Sequence, residues 1–141
     1  MTNVDPIKFH QELIGKTRVS SKVILDETTL PIAYTPGVGA VSEAIAADHE
    51  RSWELTGRGN RVAIVTDGSA VLGLGNIGPE AAMPVMEGKA AIFSQFAGVN
   101  ASSICLATQD VEEIIKTVKY LEPSFGGINL EDISAPRCFE I

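Results

Sequence analysis

The sequence predicts an α/β fold: a layered, largely parallel sheet with flanking helices. Three observations predict it. Short apolar runs at Arg61–Thr66, Ser103–Ala107 and Gly127–Leu130 have the length of buried strands. Between them lie longer stretches whose apolar residues recur at helical spacing. Gly, Pro and Asp punctuate the junctions, so strand and helix alternate along the chain.

Each element has its own signal. Asp5-Pro6 opens a short helix with Ile7, Phe9, Leu13 and Ile14 as its apolar points, and Gly15-Lys16 closes it. The polar stretch from Thr17 to Thr29 reads as a connector. The turn Tyr34-Thr35-Pro36-Gly37 leads into a helix carrying Val38, Val41, Ala44, Ile45 and Ala47. That helix ends ahead of Trp53–Gly59, a stretch with two glycines. Arg61–Thr66 then reads as a strand ended by the Asp67-Gly68 turn, and Val71–Gly78 as a second, glycine-loosened extended piece. Pro79 and Glu80 open a long helix through Phe96, with Ala82, Val85, Met86, Lys89 and Phe93 on related faces. Ser103–Ala107 is the third strand. Asp110 caps a helix from Val111 to Leu121 whose core set is Val111, Ile114, Ile115, Val118 and Leu121. Gly127–Leu130 is the fourth strand, and it runs into Glu131-Asp132. In such sheets ligands gather at the carboxyl ends of the strands, where these two acids stand.

Composition narrows the function. The chain has 141 residues, enough for one domain with a core, and its 45% hydrophobic and 21% charged residues are the balance of a globular protein. A net charge of −7 argues against nucleic acid, whose phosphates need clustered Lys and Arg. An anionic substrate must therefore be held by local cations, a metal or a helix N-terminus. Cys105 and Cys138 have no metal-ligand spacing and read as buried, reduced thiols of a cytoplasmic protein. The polar N-terminus does not resemble a signal peptide, and no apolar run approaches the ~20 residues of a membrane span.

Gly73-x-Gly75-x-x-Gly78 matches the dinucleotide fingerprint by letter. Glu80 nevertheless places a carboxylate where a pyrophosphate would need the helix field, and the acid expected about 20 residues on is missing. The motif reads as a tight glycine turn, so no cofactor-binding residue is assigned.

Four residues carry candidate chemistry. Tyr34 heads a rigid Pro-Gly turn; a phenol with a pKa of about 10 is a proton donor at neutral pH, or simply a turn tyrosine bonded to backbone. Lys89 sits among Met86, Ala90, Ala91, Ile92 and Phe93, as a proton-transfer amine or a lysine snorkelling to solvent. Glu131 and Asp132 offer hard oxygens to Mg²⁺ or Mn²⁺, or form an acidic helix start. Two adjacent acids reach one ion only where the backbone turns. His10 and His49 read as surface residues, while Asp67, Asn76 and Gln109 are loop-end polar residues without an assigned role.

The segments Ile32–Gly37, Val85–Lys89 and Asn129–Ile133, in that order, resemble the malic enzymes, specifically the N-terminal part of the short bacterial type, from Thr29 to Ile141. The resemblance implies residues 1–28 as an N-terminal helix and connector, and 29–141 as the substrate- and metal-side domain, with an NAD(P)-binding Rossmann domain absent from this chain. It implies oxidative decarboxylation of L-malate to pyruvate and CO₂, with oxaloacetate as a further substrate. Lys89 is then the base for the substrate hydroxyl and Tyr34 the acid that protonates C3. Glu131 and Asp132 become ligands of Mg²⁺ or Mn²⁺, with a third acid beyond residue 141. NAD⁺ or NADP⁺ would be bound mainly outside this chain, which alone is expected to be inactive. A homodimer or higher homo-oligomer is implied, with Tyr34 and Lys89 completing the partner's site. Malolactic enzyme, oxaloacetate decarboxylase and a truncated, non-catalytic dimerisation module are the alternatives. An Arg that grips malate in larger relatives is replaced by Val71, and Arg137 is one candidate for that role.

Overall fold

The computed structural model describes residues 5–141, which divide into two compact units, one of residues 5–18 and 60–141 and the other Val19–Gly59. Helix α1 (Pro6–Leu13) begins the first unit, capped as expected by Asp5, whose carboxylate accepts the Ile7 amide. Ile14 and Gly15 end it with positive φ values of 52° and 95°.

The second unit holds α2 (Leu30–Ala33), α3 (Val38–Ala47) and α4 (Ser52–Leu55). Its connector is ordered by Asp26, whose carboxylate accepts the amides of Thr28 and Thr29 and the Thr28 hydroxyl. Those bonds, the Thr28 side chain foremost, hold the Asp26 pKa down at about 2. Gly37 is required at the α2–α3 turn, because a Cβ there would lie 2.6 Å from the Pro31 carbonyl oxygen. None of residues 19–59 is fully buried.

Back in the first unit, β1 (Arg61–Thr66) leads to α5 (Pro79–Ala97), β2 (Asn100–Cys105), α6 (Val111–Leu121) and β3 (Gly127–Leu130). The three strands are parallel in the order β2-β1-β3, with Ile64 opposite Ser103 on one side and Asn129 on the other. This is the expected layered parallel sheet. Strand alternation sends the side chains of β1 to opposite faces. Ile64 packs with Met86 and Ala90 of α5, while Ala63 and Val65 pack with Phe125 and with Val118 and Leu121 of α6. Ala82, Met86 and Ala90 recur every four residues and are the buried stripe of α5. Pro84 lies inside that helix, which continues past the missing amide because the stripe holds it to the sheet.

Two expectations are corrected. Val71–Gly78 is not a strand: it is a turn closed by one antiparallel bridge between Val71 and Gly75, and Leu72, Gly75 and Gly78 have φ of 48°, 76° and 85°. Such angles leave the extended region, so no ladder forms. The cysteines are half-buried rather than buried, and both are free. Burial, then the charge of Glu80, pushes the Cys105 thiol pKa up. A single 3₁₀ turn spans Arg137–Phe139.

Candidate active site

The site of the first unit is built where β1 and β3 end. The ladder between them runs one bond past β3, as the Glu131 amide donates to the Val65 carbonyl at 2.9 Å. Asp132 then turns away in the left-handed region, at φ 54°, and the Ala70 amide bonds its carbonyl at 3.0 Å. Asp is among the few side chains that tolerate this angle. The backbone therefore turns between two adjacent acids, the geometry needed for both to face one ion.

Lys89 reaches this corner from α5. Its Nζ lies 3.0 Å from Glu131 Oε1, while Asn129 Nδ2 donates to Glu131 Oε2 at 3.0 Å. Asp132 Oδ2 is buried without a hydrogen-bond partner. An orphaned carboxylate oxygen beside a second carboxylate suits a hard divalent cation, so the two acids fit as part of its ligand set. Among the described residues no group of three or more His, Cys, Asp or Glu gathers to complete one.

Burial, then the charge of Glu131, raises the Asp132 pKa, and Lys89 pulls it the other way. With the folded value raised, the native protein binds more protons than the unfolded chain between the two values, so this group's contribution to stability falls as pH rises through that window. Metal-stripped Asp132→Asn is therefore expected to melt above the parent near neutral pH, with the gap narrowing as pH falls toward the ordinary carboxylate range. Thermal unfolding across that range checks it; a parent as stable as the variant at neutral pH would contradict the sign.

Tyr34 lies in the other unit. It ends α2, its amide donating to the Leu30 carbonyl at 2.9 Å, and its side chain is 66% exposed. Lys89, Glu131 and Asp132 are brought together within one unit of a single chain, where the resemblance had implied that Lys89 completes the partner's site. Lys89 also lines a groove of about 440 Å³ together with His10, Lys16, Pro84, Val85, Gly88 and Ile92. His10 is half-buried there instead of being a plain surface residue, its Nε2 2.7 Å from Lys16 Nζ; His49 is exposed.

Three residues the sequence left without a role also find partners. Asp67, fully buried, pairs with Arg137 through Oδ2 and Nη1 at 2.9 Å. Its other oxygen accepts the Ser69 amide. Asn76 and Gln109 bond amide to amide, at 3.0 and 3.2 Å. The burial of Asp67, which its place after a strand did not reveal in the sequence, is what makes a charged partner necessary.

The fold and these side chains define an α/β domain that sets an amine and two carboxylates at the carboxyl edge of a parallel sheet. Residues 15–109 and 106–141 match the family described as malic enzyme, N-terminal domain, and the chain belongs to that family. It is 56% identical to the NAD-dependent malic enzyme of Geobacillus stearothermophilus over 100% of this chain and 30% of that protein. With the bifunctional malic/malolactic enzyme of Bacillus subtilis it shares 54% identity, over 97% of this chain and 34% of that one. The crystal structure of NAD-dependent malic enzyme from Thermotoga maritima superposes with a TM-score of 0.95 at 55% identity, covering 98% of this chain and 39% of that one. The chain thus spans only about a sixth to a third of the length of the curated relatives it matches.

Proposed function

We propose that this chain is the substrate- and metal-side part, residues 29–141, of an NAD(P)-dependent malic enzyme that converts L-malate to pyruvate and CO₂. The observation that carries the reading is the Lys89–Glu131 contact of 3.0 Å beside Asp132. It supports a proton-transfer role for Lys89 beside two hard-oxygen side chains, a combination on which oxidation and decarboxylation of a hydroxy acid can draw.

Lys89 takes the proton of the substrate C2 hydroxyl as hydride passes from C2 to the NAD⁺ or NADP⁺ that a further domain would hold. Glu131 and Asp132 hold Mg²⁺ or Mn²⁺ together with a third acid outside this chain. When bound, that ion supplies the Lewis acidity on which loss of CO₂ draws. Tyr34 then gives a proton to C3, yielding pyruvate. NAD⁺ or NADP⁺ is held mainly by a further domain, so the 141 residues alone do not turn over. The reading includes a homodimer, supported by the exposed apolar side chains of the second unit, among them Ile24 and Ile32. It also includes a cytoplasmic location, supported by two free thiols; among the described residues no helix is long and apolar enough to cross a membrane.

Product analysis of the complete enzyme, given L-malate, Mn²⁺ and each nicotinamide cofactor, tests the proposal. Pyruvate and reduced cofactor in equal amounts are expected. The Bacillus subtilis relative favours a second reading, malolactic activity; lactate without net reduced cofactor would establish it. Decarboxylation of oxaloacetate alone would make the protein a decarboxylase, and no turnover at all would leave a structural module. Tyr34→Phe, which removes only the phenolic proton, is expected to lower turnover by about 10²–10⁴-fold. Steady-state kinetics on L-malate measures this, and a variant as fast as the parent would take Tyr34 out of the scheme.

A further inference from the structure

We propose that Asp67 and Arg137 act as a positioning pair that sets the Glu131–Asp132 corner for its divalent cation. The inference rests on the metal-binding reading given above and assigns Arg137 a different task from gripping substrate.

Among the described residues, Arg137 has three partners. Nη1 meets Asp67 Oδ2 at 2.9 Å and also donates to the Gln109 carbonyl, while Nη2 donates to Ser134 Oγ at 2.9 Å. One guanidinium thus ties together the segments that follow all three strands: Asp67 after β1, Gln109 after β2 and Ser134 after β3. The two terminal nitrogens of the rigid guanidinium reach all three partners at once.

Asp67 extends the tie. Its Oδ1 accepts the Ser69 amide at 2.9 Å, and Ser69 Oγ in turn accepts the Ser134 amide at 2.8 Å. The next residue, Ala70, donates its amide to the Asp132 carbonyl. Asp132 is therefore gripped on its carbonyl by the loop that Asp67 shapes, and two residues later by the serine that Arg137 holds. A left-handed residue persists where its surroundings over-determine it. Here those surroundings are this set of bonds, closed by an ion pair whose carboxylate is fully buried. Groups that orient metal ligands typically alter metal affinity when removed, by about 10–100-fold.

The test is Mn²⁺ binding to the complete enzyme without malate, followed by the electron paramagnetic resonance signal of free Mn²⁺, with kinetics and melting curves alongside. Arg137→Ala and Asp67→Asn are each expected to weaken Mn²⁺ binding about tenfold or more. The double variant should be no weaker than the worse single one, because the two act as a unit. Arg137→Lys should recover part of the loss, since an amine still pairs with Asp67 but cannot also serve Ser134 and Gln109. Malate KM at saturating Mn²⁺ should change by less than about threefold. Unaltered Mn²⁺ affinity with a large rise in malate KM would overturn the proposal and make Arg137 a substrate cation. Should the ion-pair variants fail to fold, Ser69→Ala cuts the Ser134 amide bond and leaves the pair intact. It too must weaken Mn²⁺ binding, and an unchanged affinity refutes the positioning role. A parent that binds no Mn²⁺ refutes the metal reading itself, an outcome distinct from a binding parent with unaffected variants.

Discussion

Lys89→Ala is expected to lose malate turnover by about 10²–10⁴-fold, the contribution of one well-placed proton acceptor. Loss of folding does not account for such a drop. The Lys89 and Glu131 side chains are 34% and 23% exposed, and a partly solvated pair of this kind stabilises a protein by at most about 1 kcal/mol. Metal binding should not suffer either. Without the ammonium, Glu131 Oε1 loses a cation that competes for it, so Mn²⁺ should bind as tightly as before or more so. The combination of lost turnover with retained Mn²⁺ affinity marks a proton-transfer group. Lys89→Arg should rescue nothing, because a guanidinium keeps its proton throughout the working range. Steady-state rates at saturating Mn²⁺ with a parallel Mn²⁺ titration decide the matter. A Lys89→Ala variant within about threefold of the parent would remove Lys89 from the chemistry.

The layered architecture was legible in the sequence because its signals are local. Asp110 accepts the Glu113 amide as an N-cap should, and Ile114, from the apolar stripe it introduces, is fully buried. Strand β2 was placed three residues late at its start. Its first residues, Asn100, Ser102 and Ser103, are polar, and they are in the sheet because they pair with β1 at an edge, which composition does not reveal. The glycine-rich Val71–Gly78 segment failed for the opposite reason: its apolar residues suggested a strand, yet Leu72 and Leu74 project outward, 72% and 68% exposed. At the site, the turn after β3 was foreseeable from two acids at a strand end. The pairings were not. Lys89 meets Glu131, and Arg137 meets Asp67, only because parallel strands bring the ends of distant segments to one edge.

Gly68→Ala should be the most damaging single change to the fold near that edge. Gly68 has φ of +69°, and a Cβ built there would lie 2.2 Å from the Gly78 carbonyl oxygen and 2.3 Å from its carbon. These are backbone atoms, pinned because the Ile77 and Gly78 amides both donate to the Gly68 carbonyl. No rotamer change relieves the overlap. Left-handed strain and overpacking together predict a loss of about 3–5 kcal/mol. That is a large share of the ~5–15 kcal/mol that holds a domain folded. Gly73→Ala is the matched control: a Cβ there meets nothing within 4 Å, so its effect should stay within about 0.5 kcal/mol. Urea unfolding of both variants measures the contrast, and equal midpoints would show that the Gly68–Gly78 contact yields without cost. The damage should also reach the chemistry. Gly68 stands between Asp67 and Ser69, so any backbone shift that admits a methyl group moves both the buried carboxylate and the hydroxyl that holds Ser134. A Gly68→Ala protein that still folds should bind Mn²⁺ more weakly, because the same short turn closes the core and orients the carboxylate corner.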